Sequence, residues 1–440
     1  MSEHHLGSLK KSLDEFSLDL YQQIASDPTA AEKNLFLSPL SISSALLLVY
    51  LGARDATQRE IEAALRLDKH FGGKKEAVLQ AYEEVLRIFV PSVGKDGQPA
   101  YSLALANKAY VQTGLPLKPD YVNAITKSLK SEIGQVDFQK NSEGARAEVN
   151  QWVEKQTNNK IQNLLAPGSV SAATLLVLVN AIYFKADWKN KFEEKDTQKA
   201  TFHNIDGQEV QVDLMEHKTS RKYDYYDNFG GNADAESALP PFQMLGIPYK
   251  GHEMSMLIFL PREKDGLKDF EKALTVEALE AIHGNGGSRK ARVWLPRFKL
   301  EESYDLVTIL EKTGIRKLFS GQADLSGISE TGLSVSGAVH KAFVEVNEKG
   351  TEAAAATAMM MTRMAMTYEE PPVEFRADRP FLFAIRHETT GLITFLGRVA
   401  RLVTAAMSGD RWKAFGSSWM LEKSGMVQFT LKRYSSPVPH

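Results

Sequence analysis

The sequence contains no cysteine among its 440 residues. Disulfide bridges, thiol catalysis and cysteine metal sites are therefore excluded. It also lacks a Gly-x-Ser-x-Gly nucleophile motif, a phosphate-binding loop and a pair of histidines at zinc-binding spacing. An enzyme needs a nucleophile with its base, a metal set or a cofactor cradle. The sequence thus gives no support to an enzymatic function, and we expect neither a metal nor a cofactor.

Segments that direct a chain into or across a membrane are missing as well. The N-terminal stretch has no apolar core of the kind found in signal peptides, and no apolar run is long enough to span a bilayer. No Asn-x-Ser/Thr glycosylation site occurs. These absences favour a cytoplasmic protein. A secreted, extracellular protein remains the alternative, because a mature chain that has lost its signal peptide shows the same pattern.

Charge of either sign is not in excess, since 53 Lys and Arg face 55 Asp and Glu. The net charge of −2 provides no general field for nucleic acid or an anionic membrane. Hydrophobic residues make up 43% of the chain, which is enough for a large core. Neither an internal repeat nor a clear linker is present. We therefore expect a single α+β domain, and a monomer, despite the length.

Apolar periodicity predicts helices over 9–24 and 141–165, and an apolar helix that begins at Ser38 and Pro39 and ends near Gly52. The continuous apolar run at 174–188 predicts a strand buried on both faces. Past residue 200, short strands are predicted at 209–214, 254–260, 291–295, 333–335 and 342–346. Two helices interrupt them, at 267–279 and 303–313.

One stretch, NEKGTEAAAATAMMMTRMAMTYEEPP at 347–372, disagrees with its own local propensity. Alanine is the best helix former, yet no cap, apolar period or ion-pair ladder supports a helix here. The stretch lies between two strand-like segments. Small residues come first, then methionines, then the lone Arg363.

Six segments that include this stretch resemble the serpin family of protease inhibitors. They are NLFLSPLSISSALLLVYLGA, VNAIYFKADWKNKF, LPRFKLEESYDL, ADLSGIS, VHKAFVEVNEKGTEAAAAT and RPFLFAIRHETTGLITFLGRV. They occur in the family's order and spacing from about residue 9 to 400. The resemblance implies a single-domain serpin fold over 1–402, with three β-sheets, eight or nine helices and an exposed reactive-centre loop at about 348–372.

The resemblance also implies a function. A target serine protease of chymotrypsin, elastase or trypsin type would cleave the loop, become covalently attached and be trapped when the loop inserts into the central sheet of a metastable fold. The first alternative is a non-inhibitory serpin that acts as a carrier or chaperone. The second is inhibition of a papain-like cysteine protease. The small residues of the loop favour the inhibitor.

The family's hinge is matched by a run of residues at the start of the loop: Glu348, Lys349, Gly350, Thr351, Glu352, Ala353, Ala354, Ala355, Ala356 and Thr357. A middle strand turns every second side chain towards a packed interior. Counted from Thr351, that inward set is uncharged and small or flexible, and it comprises Thr351, Ala353, Ala355, Thr357, Met359 and Met361. The carboxylate of Glu352 falls on the outward side, where it avoids the cost of burial. Gly350 supplies a pivot.

A second set matches the polar cluster at which the central strands part, namely Ser38, Ser41, Asn180 and His340. Trp188 resembles the tryptophan below the point of loop entry, and we include it in the same sheet-opening cluster. In the ordinary structural interpretation, all five are core residues whose polar groups are hydrogen-bonded and hold the sheet closed. In the functional interpretation, they allow the sheet to open, and both can hold at once.

The spacing from Gly350 places the reactive bond between Met364 and Ala365, which suits proteases with apolar primary pockets. The alternative bond, between Arg363 and Met364, suits a trypsin-like protease. A hinge that is one residue shorter would produce it. The sequence leaves both bonds open.

Two further features concern partners. Lys69, His70, Lys74 and Lys75 cluster in sequence and form a candidate polyanion patch, although nearby glutamates favour an ordinary solvated face. Residues 403–440 extend past the family's usual end, are Ser-rich and mildly basic, and are predicted to be a loosely ordered extension with a candidate strand at Val427, Phe429 and Leu431.

Overall fold

The computed structural model describes residues 2–93, 97–228, 239–351 and 371–404, and two short strands at 413–415 and 418–420. Ten α-helices lie in these residues: α1 Ser2–Ala25, α2 Pro39–Tyr50, α3 Asp55–Ala64, α4 Leu67–Phe71, α5 Lys75–Ile88, α6 Pro119–Ala124, α7 Phe138–Gln156, α8 Leu267–Ala273, α9 Val276–Asn285 and α10 Leu306–Lys312. They exceed the expected eight or nine partly because Arg66, with a left-handed φ of 56°, separates α4 from α3.

The same residues contain seventeen strands. In chain order they are β1 Leu35–Leu37, β2 Tyr101–Gln112, β3 Ile133–Val136, β4 Leu176–Asp187, β5 Gln198–His203, β6 Glu209–Asp227, β7 Phe242–Pro248, β8 Met254–Pro261, β9 Gly287–Pro296, β10 Phe298–Asp305, β11 Gly337–Asn347, β12 Gly350–Thr351, β13 Val373–Arg376, β14 Phe381–His387, β15 Ile393–Val399, β16 Lys413–Phe415 and β17 Ser418–Met420.

These strands form three sheets. Together with the ten helices, they confirm the predicted α+β class. A nine-stranded sheet has the order β1-β15-β14-β8-β7-β6-β9-β13, with β5 paired to β6. A six-stranded sheet has the order β10-β11-β12-β4-β2-β3. The third sheet consists of β16 and β17 alone, in the C-terminal extension.

The six-stranded sheet is covered on both faces. Its inner face packs on the main core with α2 and the nine-stranded sheet, and its outer face packs against α7 through residues such as Val149, Phe343 and Tyr183. β4 is buried along nearly its whole length, as the continuous apolar run predicted. This central strand therefore cannot move without disturbing both layers.

Several element boundaries differ from the predictions. α7 ends at Gln156, not at 165, because Asn158 and Asn159 adopt left-handed φ values of 51° and 59°. The predicted helix at 267–279 is divided into α8 and α9, since the Thr275 hydroxyl caps a new helix by accepting from the Ala278 amide. Leu333 and Val335 are buried, but residues 333–335 form no strand. The helix predicted from 303 begins at Leu306, after β10.

Candidate functional site

The six-stranded sheet opens at one end between its central strands. β11 and β4 run parallel and pair directly over 337–343 and 177–183. Beyond these residues the two strands part, and β12 lies between them, antiparallel to both. We call residues 184–187 of β4 and 344–347 of β11 the fork. The fork is the place where a further strand could enter the sheet.

A tight turn at Glu348 and Lys349 reverses the chain from β11 into β12. Gly350 follows with a φ of 150°. A Cβ atom on this residue would lie 2.1 Å from the carbonyl oxygen of Ala186. Both the backbone conformation and this close approach therefore require glycine.

The carboxylate of Glu348 anchors the turn. Its side chain is almost completely buried, and its two oxygens accept from Nε of Arg297 at 2.7 and 2.8 Å. The Thr197 hydroxyl also donates to this carboxylate. The backbone carbonyl of Glu348 accepts from the Phe192 amide at 2.8 Å. Glu348 is removed from water but the Arg297 side chain is 42% exposed, so the turn is held by the bidentate contact together with the Thr197 and Phe192 hydrogen bonds.

Thr351 is already buried inside the fork, with 0% of its surface exposed. Its hydroxyl forms a 2.9 Å hydrogen bond with the Tyr249 hydroxyl. The Tyr249 ring stacks on Trp188 at a centroid distance of 4.6 Å, and the Trp188 indole N–H donates to the Asn347 carbonyl at 2.9 Å. Trp188 and Tyr249 therefore form the wall against which the first inward residue of the hinge rests.

Deeper in the sheet, five polar residues meet where α2 touches the central strands. The Ser38 amide donates to Nε2 of His340 at 3.1 Å, and Nδ1 of His340 contacts Oδ1 of Asn180. Nδ2 of Asn180 donates to the Ser41 carbonyl at 2.8 Å, to the Ser41 hydroxyl at 2.7 Å and to Oδ1 of Asn107. We call Ser38, Ser41, Asn107, Asn180 and His340 the polar network. It ties α2 to β2, β4 and β11.

The structure separates Trp188 from this polar network. The family resemblance predicted one cluster that included Trp188, but Trp188 follows the end of β4 at the fork, whereas Asn180 lies in the middle of β4. The network links the strands to α2, and Trp188 supports the turn. The two groups act at different levels of the same strand pair, the network midway along it and Trp188 at the fork.

Three residues of the site were not predicted from the sequence: Asn107, Tyr249 and Arg297. Asn107 could have been predicted, because an amide in the middle of an apolar strand needs a buried hydrogen-bond partner. Tyr249 and Arg297 could not, since their partners lie 102 and 51 residues away in the chain.

His340 is held neutral in the folded protein. The Ser38 amide can only donate, so Nε2 of His340 accepts and Nδ1 carries the proton that faces Asn180. Complete burial lowers the pKa of His340 to about 3. The neighbouring ring, Tyr304, is uncharged and stacks at a centroid distance of 6.1 Å. A protonated His340 would therefore have to be buried without a counter-ion.

This burial predicts an acid-sensitive fold. The unfolded chain takes up a proton at His340 below its ordinary pKa of 6.5, whereas the folded chain does so only near pH 3. Stability is therefore fully present above pH 6.5 and decreases below it, by up to about 1.4 kcal/mol per pH unit. Urea midpoints measured from pH 7 to pH 5 should decrease more steeply for the wild type than for His340→Gln.

The control for this prediction is His4→Gln, which changes an exposed histidine in α1. It should keep the wild-type pH dependence. Carboxylate titration is common to all three proteins and cancels in the comparison. Parallel curves for the wild type and His340→Gln would show that His340 does not couple folding to pH.

The candidate polyanion patch does not form a free basic surface. Nζ of Lys69 and Nε2 of His70 both contact Oε1 of Glu15, at 2.7 and 2.9 Å. Lys75 lies against two backbone carbonyls at 3.4 and 3.3 Å, and burial lowers its pKa. Only Lys74 of the four has no such contact described. The structure therefore argues against this patch, because α1 supplies a carboxylate that the local sequence did not reveal.

The rest of the predicted loop lies outside the described residues. This applies to Glu352, Ala353, Ala354, Ala355, Ala356 and Thr357 of the hinge, to both candidate reactive bonds at 363–365, and to the candidate strand at 427–431. Across the part that is described, no helix combines the length and apolar character that crossing a bilayer requires. No group of three or more His, Asp or Glu side chains is placed there to hold a metal.

Known proteins resemble this chain over most of its length. A family model described as Serpin (serine protease inhibitor) matches residues 11–402. The chain belongs to the serpin family. Human Serpin B3 is 39% identical to this serpin over 407 residues, covering 89% of this chain and 99% of that protein. Human leukocyte elastase inhibitor is 40% identical over 398 residues, covering 89% and 98%.

Solved structures agree with this assignment. Uncleaved ovalbumin matches with a TM-score of 0.76 at 32% identity, covering 90% of this chain and all of that one. Serpin48 from the insect Tenebrio molitor matches with a TM-score of 0.73, also at 32% identity, covering 90% and 98%. The predicted single-domain serpin fold is thus confirmed. The family is described as serine protease inhibitors, not enzymes, and one of the relatives above is named as an elastase inhibitor.

Proposed function

We propose that this serpin inhibits serine endopeptidases by a suicide-substrate mechanism. The catalytic serine of the protease attacks the carbonyl carbon of the reactive bond, the new amino terminus leaves, and an acyl-enzyme ester remains. The freed loop then enters the fork and continues between β4 and β11. The attached protease is carried along the sheet and distorted before water can hydrolyse the ester.

The arrangement of β12 is the observation that carries this proposal. Two residues of the hinge are already hydrogen-bonded between both neighbours, in the antiparallel direction that an inserted strand would have. The register is coherent across all three strands. If the loop continues in it, Thr357 comes level with the His340 and Asn180 pair of the polar network.

The two faces of the sheet set different demands on the entering residues. Thr351 lies level with the buried Val346, so the inward positions that follow would face the main core. The outward positions would have to fit beneath α7. Ala354 and Ala356 occupy such outward positions and are small enough for this. Glu352 would lie on the outward side, level with Lys185 on β4 and with Glu345 on β11, so it gains one cationic and one anionic neighbour.

The polar network sets the resistance to insertion. Entry of Thr357 would require His340 and Asn180, which are adjacent in the present pairing, to separate. Their hydrogen bonds favour the closed sheet. The network thus keeps the loop out until cleavage releases it, and the polar side chain of Thr357 would arrive where those bonds were lost.

Of the two reactive bonds, Met364–Ala365 receives further support. Relatives named leukocyte elastase inhibitor are about equally similar in human and horse, at 40% identity. A target of that kind has an apolar primary pocket, which accepts methionine but not arginine. The bond between Arg363 and Met364 is the alternative, with a trypsin-like target.

A binding function is the second candidate. Human thyroxine-binding globulin, solved with thyroxine, matches with a TM-score of 0.78 at 28% identity, covering 91% of this chain and all of that one. The serpin fold therefore also occurs in a carrier. The small, uncharged inward set of the hinge favours the inhibitor for this chain.

The test is incubation with chymotrypsin, with trypsin and with papain, followed by denaturing electrophoresis and mass spectrometry. We expect an SDS-stable complex with a serine protease and release of a C-terminal fragment. A fragment beginning at Ala365 assigns the bond to Met364, and one beginning at Met364 assigns it to Arg363. Cleaved protein without any complex would contradict the inhibitory function, and a complex with papain alone would establish the cysteine-protease alternative.

A further inference from the structure

A buried histidine contacts the segment that holds the turn between β11 and β12. His217 lies in β6 and is 4% exposed. The ring of Phe192 stacks on it at a centroid distance of 3.7 Å, and the two ring planes are 12° apart. The Phe192 amide in turn donates to the Glu348 carbonyl at 2.8 Å. A single residue therefore connects His217 to the turn.

Residues 188–192, which we call the strap, bind three successive carbonyls of the turn, at 347–349. Trp188 supplies two of these bonds, one from its amide at 2.8 Å and one from its indole at 2.9 Å. Phe192 supplies the middle one. Water can reach the ring of His217 only if the Phe192 ring moves away from it. Such a movement would break the middle bond between the strap and the turn.

The polar atoms of His217 are only partly hydrogen-bonded. Nδ1 contacts the Tyr223 hydroxyl, whereas Nε2 has no partner of normal geometry among the described residues. A neutral imidazole carries a proton on one nitrogen, but a protonated ring carries one on both. Protonation in place would therefore leave a charged N–H group buried without a well-placed acceptor, which is costly.

The side chains around this ring are apolar, paired or positively charged. β9 places Val293 opposite His217. The acidic groups of the neighbouring elements are engaged in the pairs Glu216–Arg292, Asp187–Lys191 and Glu348–Arg297. The charge that acts on the ring is that of Arg221, whose guanidinium donates to the Asn190 side chain at 3.3 Å. A positive charge on His217 would thus be repelled.

Burial, and then the Arg221 charge, lower the pKa of His217 to about 4, although the Asn190 and Lys191 carbonyls act in the opposite direction. A histidine in water has a pKa near 6.5. Because the folded pKa is depressed, the contact is fully stable above pH 6.5 and weakens as the pH falls towards 4. Acid favours the state in which Phe192 has moved and the ring is hydrated.

We propose that His217 is a positioning residue of the hinge, which seats the strap while it is neutral and releases the turn when it is protonated in mildly acidic solution. The turn holds Gly350 and Thr351 in register with β4. After release, insertion has to start from a hinge that is not seated in the fork, so deacylation competes better with it. This effect on trapping rests on the proposed function, whereas release of the turn does not.

Release is tested by hydrogen exchange of the Phe192 amide in the full-length protein at pH 7 and at pH 5.5, with protection expressed relative to the intrinsic rate at each pH. The released state, with its ordinary pKa, gains about eightfold over this range, so protection should decrease by about that factor. The Lys118 amide, which donates to the Ile328 carbonyl at 2.9 Å, reports general unfolding and should change little.

Two neutral replacements of His217 should abolish the decrease. His217→Phe keeps a ring beside Phe192, and His217→Gln keeps a polar partner for Tyr223. His387→Gln is the matched control, because His387 is similarly buried, at 5% exposure, and burial also lowers its pKa, but it contacts Thr390 instead of the strap. It should retain the wild-type decrease. Constant Phe192 protection in the wild type, or an equal decrease in both His217 variants, overturns the proposal.

Trapping is tested with chymotrypsin at the same two pH values, as the ratio of SDS-stable complex to cleaved protein. Deacylation itself depends on pH, so the change in this ratio is compared between the wild type and His217→Gln with the same protease. We expect a several-fold larger decrease in the wild type. Equal changes would overturn the effect on trapping, and absence of any complex at pH 7 would count against the proposed function alone.

Discussion

Replacement of Thr351 by arginine should convert the inhibitor into a substrate. Thr351 is fully buried in the fork, and its hydroxyl bonds to Tyr249. A guanidinium cannot occupy this place beside apolar and aromatic side chains without a counter-ion, so Thr351→Arg should hold the hinge out of the fork, and insertion would then have to bury the charge. Burying an unpaired charge costs about 3 kcal/mol or more, which slows insertion roughly 100-fold. Deacylation then precedes insertion, and the protease is released active.

The measurement is the ratio of SDS-stable complex to cleaved protein for the wild type and Thr351→Arg. Two variants serve as controls. Glu352→Arg introduces the same side chain one position later, on the outward side, and should still form complex. Thr351→Ser keeps the hydroxyl and should resemble the wild type. If Thr351→Arg forms as much complex as the wild type, the inward position of residue 351 is irrelevant to trapping.

The sequence was sufficient for those parts of the fold that depend on local pattern. The continuous apolar run predicted β4 as a strand covered on both faces, because a central strand contacts two packed layers. Ser38 and Pro39 predicted the start of α2, since a serine oxygen accepts from the Ser41 amide and proline fits the first helical position. These are contacts within a few residues, which a pattern can encode.

The candidate site could be predicted only in part, because it is assembled from distant segments. His340 and Asn180 were named from their resemblance to family positions, but Asn107 was not, although it joins Ser41 and Asn180 in one network. The pairing of Glu348 with Arg297 likewise depends on how the turn lies over β10. Local periodicity does not report which side chains meet across a sheet.

The structure also indicates where the energy for trapping would be held. β4 and β11 pair directly only over 337–343 and 177–183, and the fork beyond these residues is occupied by two hinge residues. The closed sheet keeps the network bonds between His340 and Asn180, and the direct pairing of β4 with β11 leaves no place between them for a longer strand. A loop that is free at one end could exchange these few bonds for hydrogen bonds to both neighbours. An intact loop is tied at both ends, by β12 and by β13.

Cutting the loop should therefore raise the melting temperature sharply. The inserted strand would bury Ala353, Ala355, Thr357, Met359 and Met361 against the main core. The two methionines alone contribute about 1.5–3 kcal/mol each, so the total gain is on the order of 5 kcal/mol. For a domain of about 400 residues, this burial alone corresponds to a rise of roughly 6 °C.

The cut is best made with a metalloprotease, because no acyl-enzyme forms and the cleaved protein stays free of attached protease. Calorimetry or circular dichroism then compares intact and cleaved protein. Cleaved Thr351→Arg is the control, and it should gain little, since its hinge cannot enter the fork. An unchanged melting temperature in the cleaved wild type would mean that the loop does not insert. The fork would then be a fixed feature of a stable fold, and trapping of a protease would have no source of energy.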